Sequence, residues 1–301
     1  MTLRLASLVV SAGLAWGARL DASAGLASPP APIRLTHGPH PAQTIDLWPS
    51  MHDRGESPLV IFVHGGGWIG GTPASATGRA KIAHALSRGQ AFASVGYRHV
   101  PEAAVEDQAA DVAAAIALLL REATQHRIDP RRVVVMGHSA GAHLAALIGT
   151  DRRWLEAVGL DHAALGGIVT IDGAAFDVMQ QQRDAPLAAA LLYRPVFGRD
   201  PDRMRALSPV WQSAAPNAIN WLLLQTARSD SARQTASLAA ALRRSGSIAD
   251  VIALPGRGLA AHVACNRRLG DPGWPPTTQV DLWMDRVFAS RSITARYKAR
   301  A

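Results

Sequence analysis

Two glycine-rich motifs hold the chemistry this sequence offers. Gly137-His138-Ser139-Ala140-Gly141 fits G-x-S-x-G and lies between a β-branched apolar run, residues 132–136, and an apolar helical stretch, residues 140–148. A strand-to-helix turn that tight requires glycine on both sides of the serine and lifts its hydroxyl out of the sheet. A serine hydroxyl is a weak nucleophile at neutral pH, so such a position needs a base beside it. His64-Gly65-Gly66-Gly67-Trp68 follows a second apolar run, residues 59–63. Its glycines let the main chain approach a substrate, and the amides of Gly66 and Gly67, with that of Ala140, are the expected donors to a developing oxyanion. Either motif alone also reads as a plain turn; both together, each at a strand end and in this order, point to acyl transfer.

The base follows by elimination. For a serine on this kind of turn the chain order is nucleophile, acid, histidine, and only His143, His162 and His262 come after Ser139. His143 lies four residues along the same helix and is expected to pack beside the turn. His162 precedes a strand in a polar loop and is expected to face solvent. His262 follows the last strand across a Gly-rich loop and is the candidate base. The acid is more open. Carboxyl ends of parallel strands meet at such sites, which favours Asp230, just past strand 221–226, with Asp172, at the end of strand 166–171, as its rival. Asp250 lies near the amino end of its strand, on the wrong side of the sheet. His138 and Trp68 read as packing or pocket-shaping residues.

These residues need a scaffold, and the hydrophobic pattern describes one. Short apolar runs at 44–48, 59–63, 91–97, 132–136, 166–171, 221–226 and 248–254 read as strands. Helical spacing at 74–87, 106–124, 140–148 and 235–244 separates them. This alternation implies a mostly parallel sheet covered on both faces. Residues 176–205 break the rhythm and read either as a cap over the carboxyl edge or as an ordinary helical crossover. With 301 residues, 48% of them hydrophobic, the chain is long enough for one large domain.

The formal charge of +8 would suit a polyanion partner if it were clustered. It is scattered instead. Lys81 and Lys298 are the only lysines and no run of five or six like charges occurs, so the excess is an arginine bias and not a nucleic-acid footprint. Near the N-terminus, Arg4 precedes an apolar run at 5–18, followed by Ala22-Ser23-Ala24 at the spacing of a signal-peptidase site. A cleavable signal over 1–24 and a periplasmic or secreted mature protein are expected, since the run falls short of the roughly 18–20 residues of a stable membrane span. Residues 25–43 then read as an N-terminal extension and 44–301 as the domain. Cys265 is the only cysteine, so it forms no internal disulfide and lacks the companions of a metal site. The serine chemistry requires no cofactor.

HGGGW at 64–68, SVGYRHVPE at 94–102, IDPRRVVVMGHSAGAHLAAL at 128–147 and HVACNRRLG at 262–270 together resemble the α/β-hydrolase superfamily. The similarity runs from about residue 44 to beyond residue 270. It is nearest to the branch of carboxylesterases of the hormone-sensitive-lipase type, feruloyl-esterase-like and kynurenine-formamidase-like proteins. The resemblance implies an α/β-hydrolase fold with Ser139 as nucleophile, His262 as base, Asp230 as acid, and Gly66, Gly67 and Ala140 as the oxyanion hole. It implies a small-molecule ester as substrate, with an amide such as N-formylkynurenine, or a non-catalytic binding role on the same fold, as alternatives. One departure stands out: the strand before the acid usually leads into a Gly-containing turn, and here it reads Thr226-Ala227-Arg228-Ser229-Asp230.

Overall fold

The computed structural model describes residues 28–52 and 55–298, with the backbone alone at 76 and 291–298. The expected signal segment, with Ala22-Ser23-Ala24, lies outside the described residues. Among the described residues eight strands form one sheet: β1 (Ile33–Thr36), β2 (Thr44–Trp48), β3 (Ser57–Val63), β4 (Ala91–Val95), β5 (Ile128–His138), β6 (Gly167–Ile171), β7 (Asn220–Gln225) and β8 (Ile248–Ala253). Their spatial order is β1-β2-β4-β3-β5-β6-β7-β8. β1 pairs antiparallel with β2 and β2 with β4; all other pairings are parallel.

β1 corrects the expected domain boundary. Ile33 pairs with Leu47 and Thr36 with Thr44, so the sheet begins inside the stretch read as an extension. Its sequence, Ile-Arg-Leu-Thr, is a mostly exposed edge strand too short to carry a hydrophobic signal.

The central strands are apolar without interruption because both of their faces are covered. Side chains alternate along each strand, and they divide cleanly between two cores. Ile61, Val63, Val133, Val135, Ile168 and Leu223 face one side, where they meet α2 (Val105–Arg121) and α3 (Ala140–Thr150). Val60, Phe62, Val134, Met136, Val169 and Leu222 face the other, against α1 (Arg79–Ser87), α7 (Gly258–Arg268) and α8 (Pro275–Lys298). The helix expected over 74–87 is two pieces, Pro73–Ala76 and α1, divided at Gly78, whose φ of 90° no helix accommodates. Among the described residues, no helix is long and apolar enough to cross a membrane.

Between β6 and β7 the chain runs through α4 (Val178–Asp184), short turns over 186–197, α5 (Pro201–Ala206) and Pro209–Gln212. This segment is crossover and cap at once. It returns the chain to a parallel strand and also roofs α3, every residue of which is buried. The remaining crossover helix, α6 (Ser229–Arg244), joins β7 to β8.

β7 is held to α3 by Trp221, fully buried, whose indole lies so close to Gly149 that a Cβ there would strike the ring. Its Nε1–H donates to the Ala218 carbonyl at 2.7 Å. Trp221→Ala is expected to cost about 3–5 kcal/mol of stability, read as a lowered urea midpoint at unchanged slope.

Candidate active site

The register of the sheet places the candidate residues before any side chain does. His138, the last residue of β5, pairs with Ile171, the last of β6, and Ile171 pairs with Leu224. The next residues, Ser139 and Asp172, therefore emerge side by side at the carboxyl edge. Ser139 has a φ of 56°, in the left-handed region, and its N–H donates to the Ile171 carbonyl at 3.0 Å. The turn has no room for larger neighbours: a Cβ on Gly137 would strike the Gly141 carbonyl, and one on Gly141 the carbonyls of Val63 and His64. Ser139 is half-buried, and its hydroxyl makes no hydrogen bond among the described residues.

The loop after β3 abuts this turn; a Cβ on Gly65 would lie 3.2 Å from that of Ser139. Gly66 has a φ of 139° and faces the Gly70 carbonyl without space for a side chain. The loop is fixed from outside. The Tyr97 hydroxyl donates to the His64 carbonyl at 2.8 Å, and the Gln108 amide to the Trp68 carbonyl at 2.8 Å. Trp68 Nε1–H donates to His143 Nδ1 at 3.3 Å, and His143 Nε2–H to the Leu207 carbonyl at 2.8 Å. Burial drives the His143 pKa down to about 4, so this ring is a neutral strut between loop and cap. The amides of Gly66, Gly67 and Ala140 donate to no group among the described residues, which leaves them available to a ligand.

His262 meets Asp172, not Asp230. Its Nδ1 lies 2.7 Å from Asp172 Oδ2. Asp172 has no exposed surface, and its Oδ1 accepts from Thr226 N–H at 2.9 Å, Thr226 Oγ1–H at 3.0 Å and Ser231 Oγ–H at 2.6 Å. Burial works to raise the carboxyl pKa, but the hydrogen bond from His262 and the charge of Arg228 hold it far below the ordinary range. The group is an anion, and Nδ1–H of His262 is the natural donor to it. Nε2 is then the nitrogen free to take a proton. Burial lowers the imidazole pKa, the hydrogen bond to Asp172 opposes this, and Arg228 adds to the lowering. His138 backs the ring at 4.5 Å between centroids, with its Nε2–H donating to the His262 carbonyl at 3.0 Å.

Asp230 is the sequence expectation that the geometry overturns. It sits in the first turn of α6 and binds Arg228, with Nε to Oδ1 and Nη2 to Oδ2 both at 3.2 Å, and the Gln181 amide at 3.1 Å. The turn that lacks glycine carries Arg228 into the space behind His262, and the helix starts so soon afterwards that Asp230 is directed at the cap. His262 lies within α7, which starts at Gly258, inside the stretch read as a Gly-rich loop. His162 is buried against the carbonyls of Ile148 and Pro216 instead of facing solvent. Asp250 approaches Arg286 at 3.4 Å, remote from the site. Sequence reasoning missed Thr226, Ser231 and Arg228, although the departure at 226–230 was a visible signal for the last. Lys81 was also missed: buried under the Phe62 ring, it donates to the side-chain and main-chain oxygens of Asn266 and pins α7. Cys265 is buried, and burial pushes its thiol up to about 12. Among the described residues, no group of three or more His, Cys, Asp or Glu side chains is arranged to hold a metal.

Comparison with known proteins agrees with this fold. Esterase B of Lactobacillus Rhamnosis superposes with a TM-score of 0.75 over 99% of this chain and 98% of its own, at 20% identity. Residues 45–187 match the BD-FAE family model. The chain has the α/β-hydrolase fold. Proteins similar to it in sequence are described as esterases. Esterase LipC of Mycobacterium tuberculosis is 27% identical over 278 residues, covering 87% of this chain and 67% of LipC. A probable isoprenylcysteine alpha-carbonyl methylesterase of Arabidopsis thaliana is 33% identical over 113 residues, covering 37% of this chain. The chain spans 23% of that relative's length.

The two aspartates give a sharp test. Asp172→Asn should fold and lose about 10³–10⁴-fold in kcat, because an amide neither fixes the imidazole tautomer nor stabilises its charge. Asp230→Asn should lose only about tenfold, the scale of one charged hydrogen bond. Steady-state rates and melting temperatures of both variants check this; the reverse order would return the acid to Asp230.

Proposed function

We propose that this protein is a carboxylic ester hydrolase acting through an acyl-enzyme on Ser139. The observation that carries the reading is the ordered set at adjoining strand ends: Ser139 on a strained turn, and His262 held at 2.7 Å by a buried, ionised Asp172. In this reading His262 Nε2 takes the hydroxyl proton as Ser139 Oγ attacks the ester carbonyl. The carbonyl oxygen becomes an oxyanion held by the amides of Gly66, Gly67 and Ala140, each such donor being worth about 3 kcal/mol in the transition state. Collapse of the tetrahedral intermediate breaks the ester C–O bond, and the leaving alkoxide takes the proton from the imidazolium. Water then repeats the sequence on the acyl-serine, with His262 again as base. Asp172 orients the ring and stabilises its charged form throughout.

Two further observations support ester substrates with compact acyl groups. LipC and the Arabidopsis relative are both described as esterases. Trp68, Tyr193 and Phe197 pack edge to face, with Trp68 4.9 Å from Phe197 and 6.0 Å from Tyr193, and fill the space between the glycine loop and the cap. All three are nearly or wholly buried, which leaves little depth for a long chain.

A fluorophosphonate probe should label the protein stoichiometrically, and Ser139→Ala should abolish labelling while leaving the fold intact. Persistent labelling of the variant would defeat the assignment. Short-chain p-nitrophenyl esters should be cleaved faster than long-chain ones. Because the base must be neutral and its pKa is lowered from 6.5, kcat/KM should fall with acidity only below that value.

A further inference from the structure

Arg228 occupies a place that the triad chemistry alone does not explain. Its Nη1 lies 3.2 Å from Asp172 Oδ2 and 2.7 Å from His262 Nδ1, while Nε and Nη2 reach the two oxygens of Asp230. A guanidinium only donates. The contact with His262 therefore requires a lone pair on Nδ1, whereas the contact between His262 and Asp172 requires a proton there. The two cannot be satisfied together. With the proton on Nδ1 the ring is a base at Nε2; with the lone pair on Nδ1 the proton sits on Nε2 and the ring cannot accept one from Ser139.

We propose that Arg228 is a positioning residue that selects the tautomer and charge state of His262, and that Asp230 is the anchor holding its guanidinium towards the productive arrangement. The inference rests on the triad reading above. The anchor is itself fixed, since Gln181 of α4 donates to Asp230 Oδ2 at 3.1 Å and accepts from the Ala175 N–H at 3.1 Å. The cap thus reaches the imidazole through Gln181, Asp230 and Arg228 in turn. Arg228 is mostly buried, 16% of its side chain being exposed, so its charge acts through little intervening water. That charge disfavours the imidazolium and keeps His262 neutral, hence competent as a base, into acidic solution.

Other charged or titratable groups around the ring define what a test must separate. Asp172 faces it from the end of β6, His138 from β5 and Cys265 from its own helix, with the Cys265 thiol donating to the His262 carbonyl at 3.1 Å. Asp230 acts from α6, Lys81 of α1 acts on His138, and Tyr193 of the cap acts on Arg228. Among these only Arg228 and Asp230 change in the experiment.

The pH dependence of kcat/KM for p-nitrophenyl acetate, measured on the full chain with melting temperatures in parallel, reads the effect. Arg228→Met should move the acid limb up by about one unit, because the charge opposing the imidazolium is gone, and should raise the alkaline plateau. Arg228→Lys, which keeps a charge without the fork, should return most of the limb to its original place. Asp230→Asn frees the guanidinium to press on Nδ1; the limb should move down and the plateau fall about tenfold. Adding Arg228→Met to Asp230→Asn should recover that plateau. A uniform loss in Arg228→Met with no movement of the limb, or a double variant no faster than Asp230→Asn, would overturn the proposal. Failure of the triad reading looks different: Asp172→Asn would stay near normal while Asp230→Asn lost activity by orders of magnitude.

Discussion

A carboxylate with no exposed surface is costly unless it is surrounded by donors, since the penalty for burying an uncompensated charge is several kcal/mol. Asp172 meets that constraint with donors from two stretches of the chain distant from it: the amide and hydroxyl of Thr226, Arg228 and Ser231 between the end of β7 and the first turn of α6, and His262 from α7. None of these is a sequence neighbour. The charge is tolerated only when β6, β7, α6 and α7 are assembled, and the assembled donors keep the group ionised through the whole range in which an imidazole titrates. The fold and the orientation of the His262 imidazole are therefore set by the same hydrogen bonds.

Backbone strain gathers at the same edge. Ser139, Asp172 and Trp68 have φ values of 56°, 45° and 62°, in a region that non-glycine residues enter at a cost of order 1–3 kcal/mol each. The sheet holds two of them directly. Ser139 N–H donates to the Ile171 carbonyl and Asp172 N–H to the Leu224 carbonyl at 2.7 Å, so the parallel ladder continues one residue past the regular strands. Trp68 is held by its side chain, through the indole bond to His143 and the packing of Phe197. Strain at the two strand ends aims a hydroxyl and a carboxylate above the sheet, and the close-packed glycines leave the turn no alternative conformation.

Much of this was legible from residue types alone. The apolar runs located all the inner strands, and G-x-S-x-G after such a run identified Ser139, because that turn has few other sequence solutions. His262 emerged from chain order. The choice between Asp172 and Asp230 did not, for a physical reason: strand carboxyl ends lie within a few ångströms of one another, so both aspartates satisfy a rule written in sequence positions. What separates them is the pairing of His138 with Ile171 and the bulk of Arg228 in a turn that lacks glycine. β1 was hidden because an exposed edge strand needs no hydrophobic pattern. The helix around His262 was hidden because the stretch before it, Gly-Arg-Gly, reads as a loop breaker, whereas Gly258, with a φ of 66°, only starts the helix.

Part of the arginine bias that marked the composition is explained in the same terms. Asp46, Asp111, Asp129 and Asp151 are all buried, and each is matched by an arginine: Arg34, Arg98, Arg131 with Arg132, and Arg153. A planar fork with five donors can satisfy both oxygens of a carboxylate while its own outer edge stays in water, which a lysine ammonium does less well. Part of the positive charge of this chain is thus paired with buried carboxylates. Arg228 and Asp172 repeat that pairing at the one buried carboxylate, among the described residues, that also holds an imidazole. There the fork is divided between two aspartates, and the histidine between them is exposed to both signs of charge at hydrogen-bond distance.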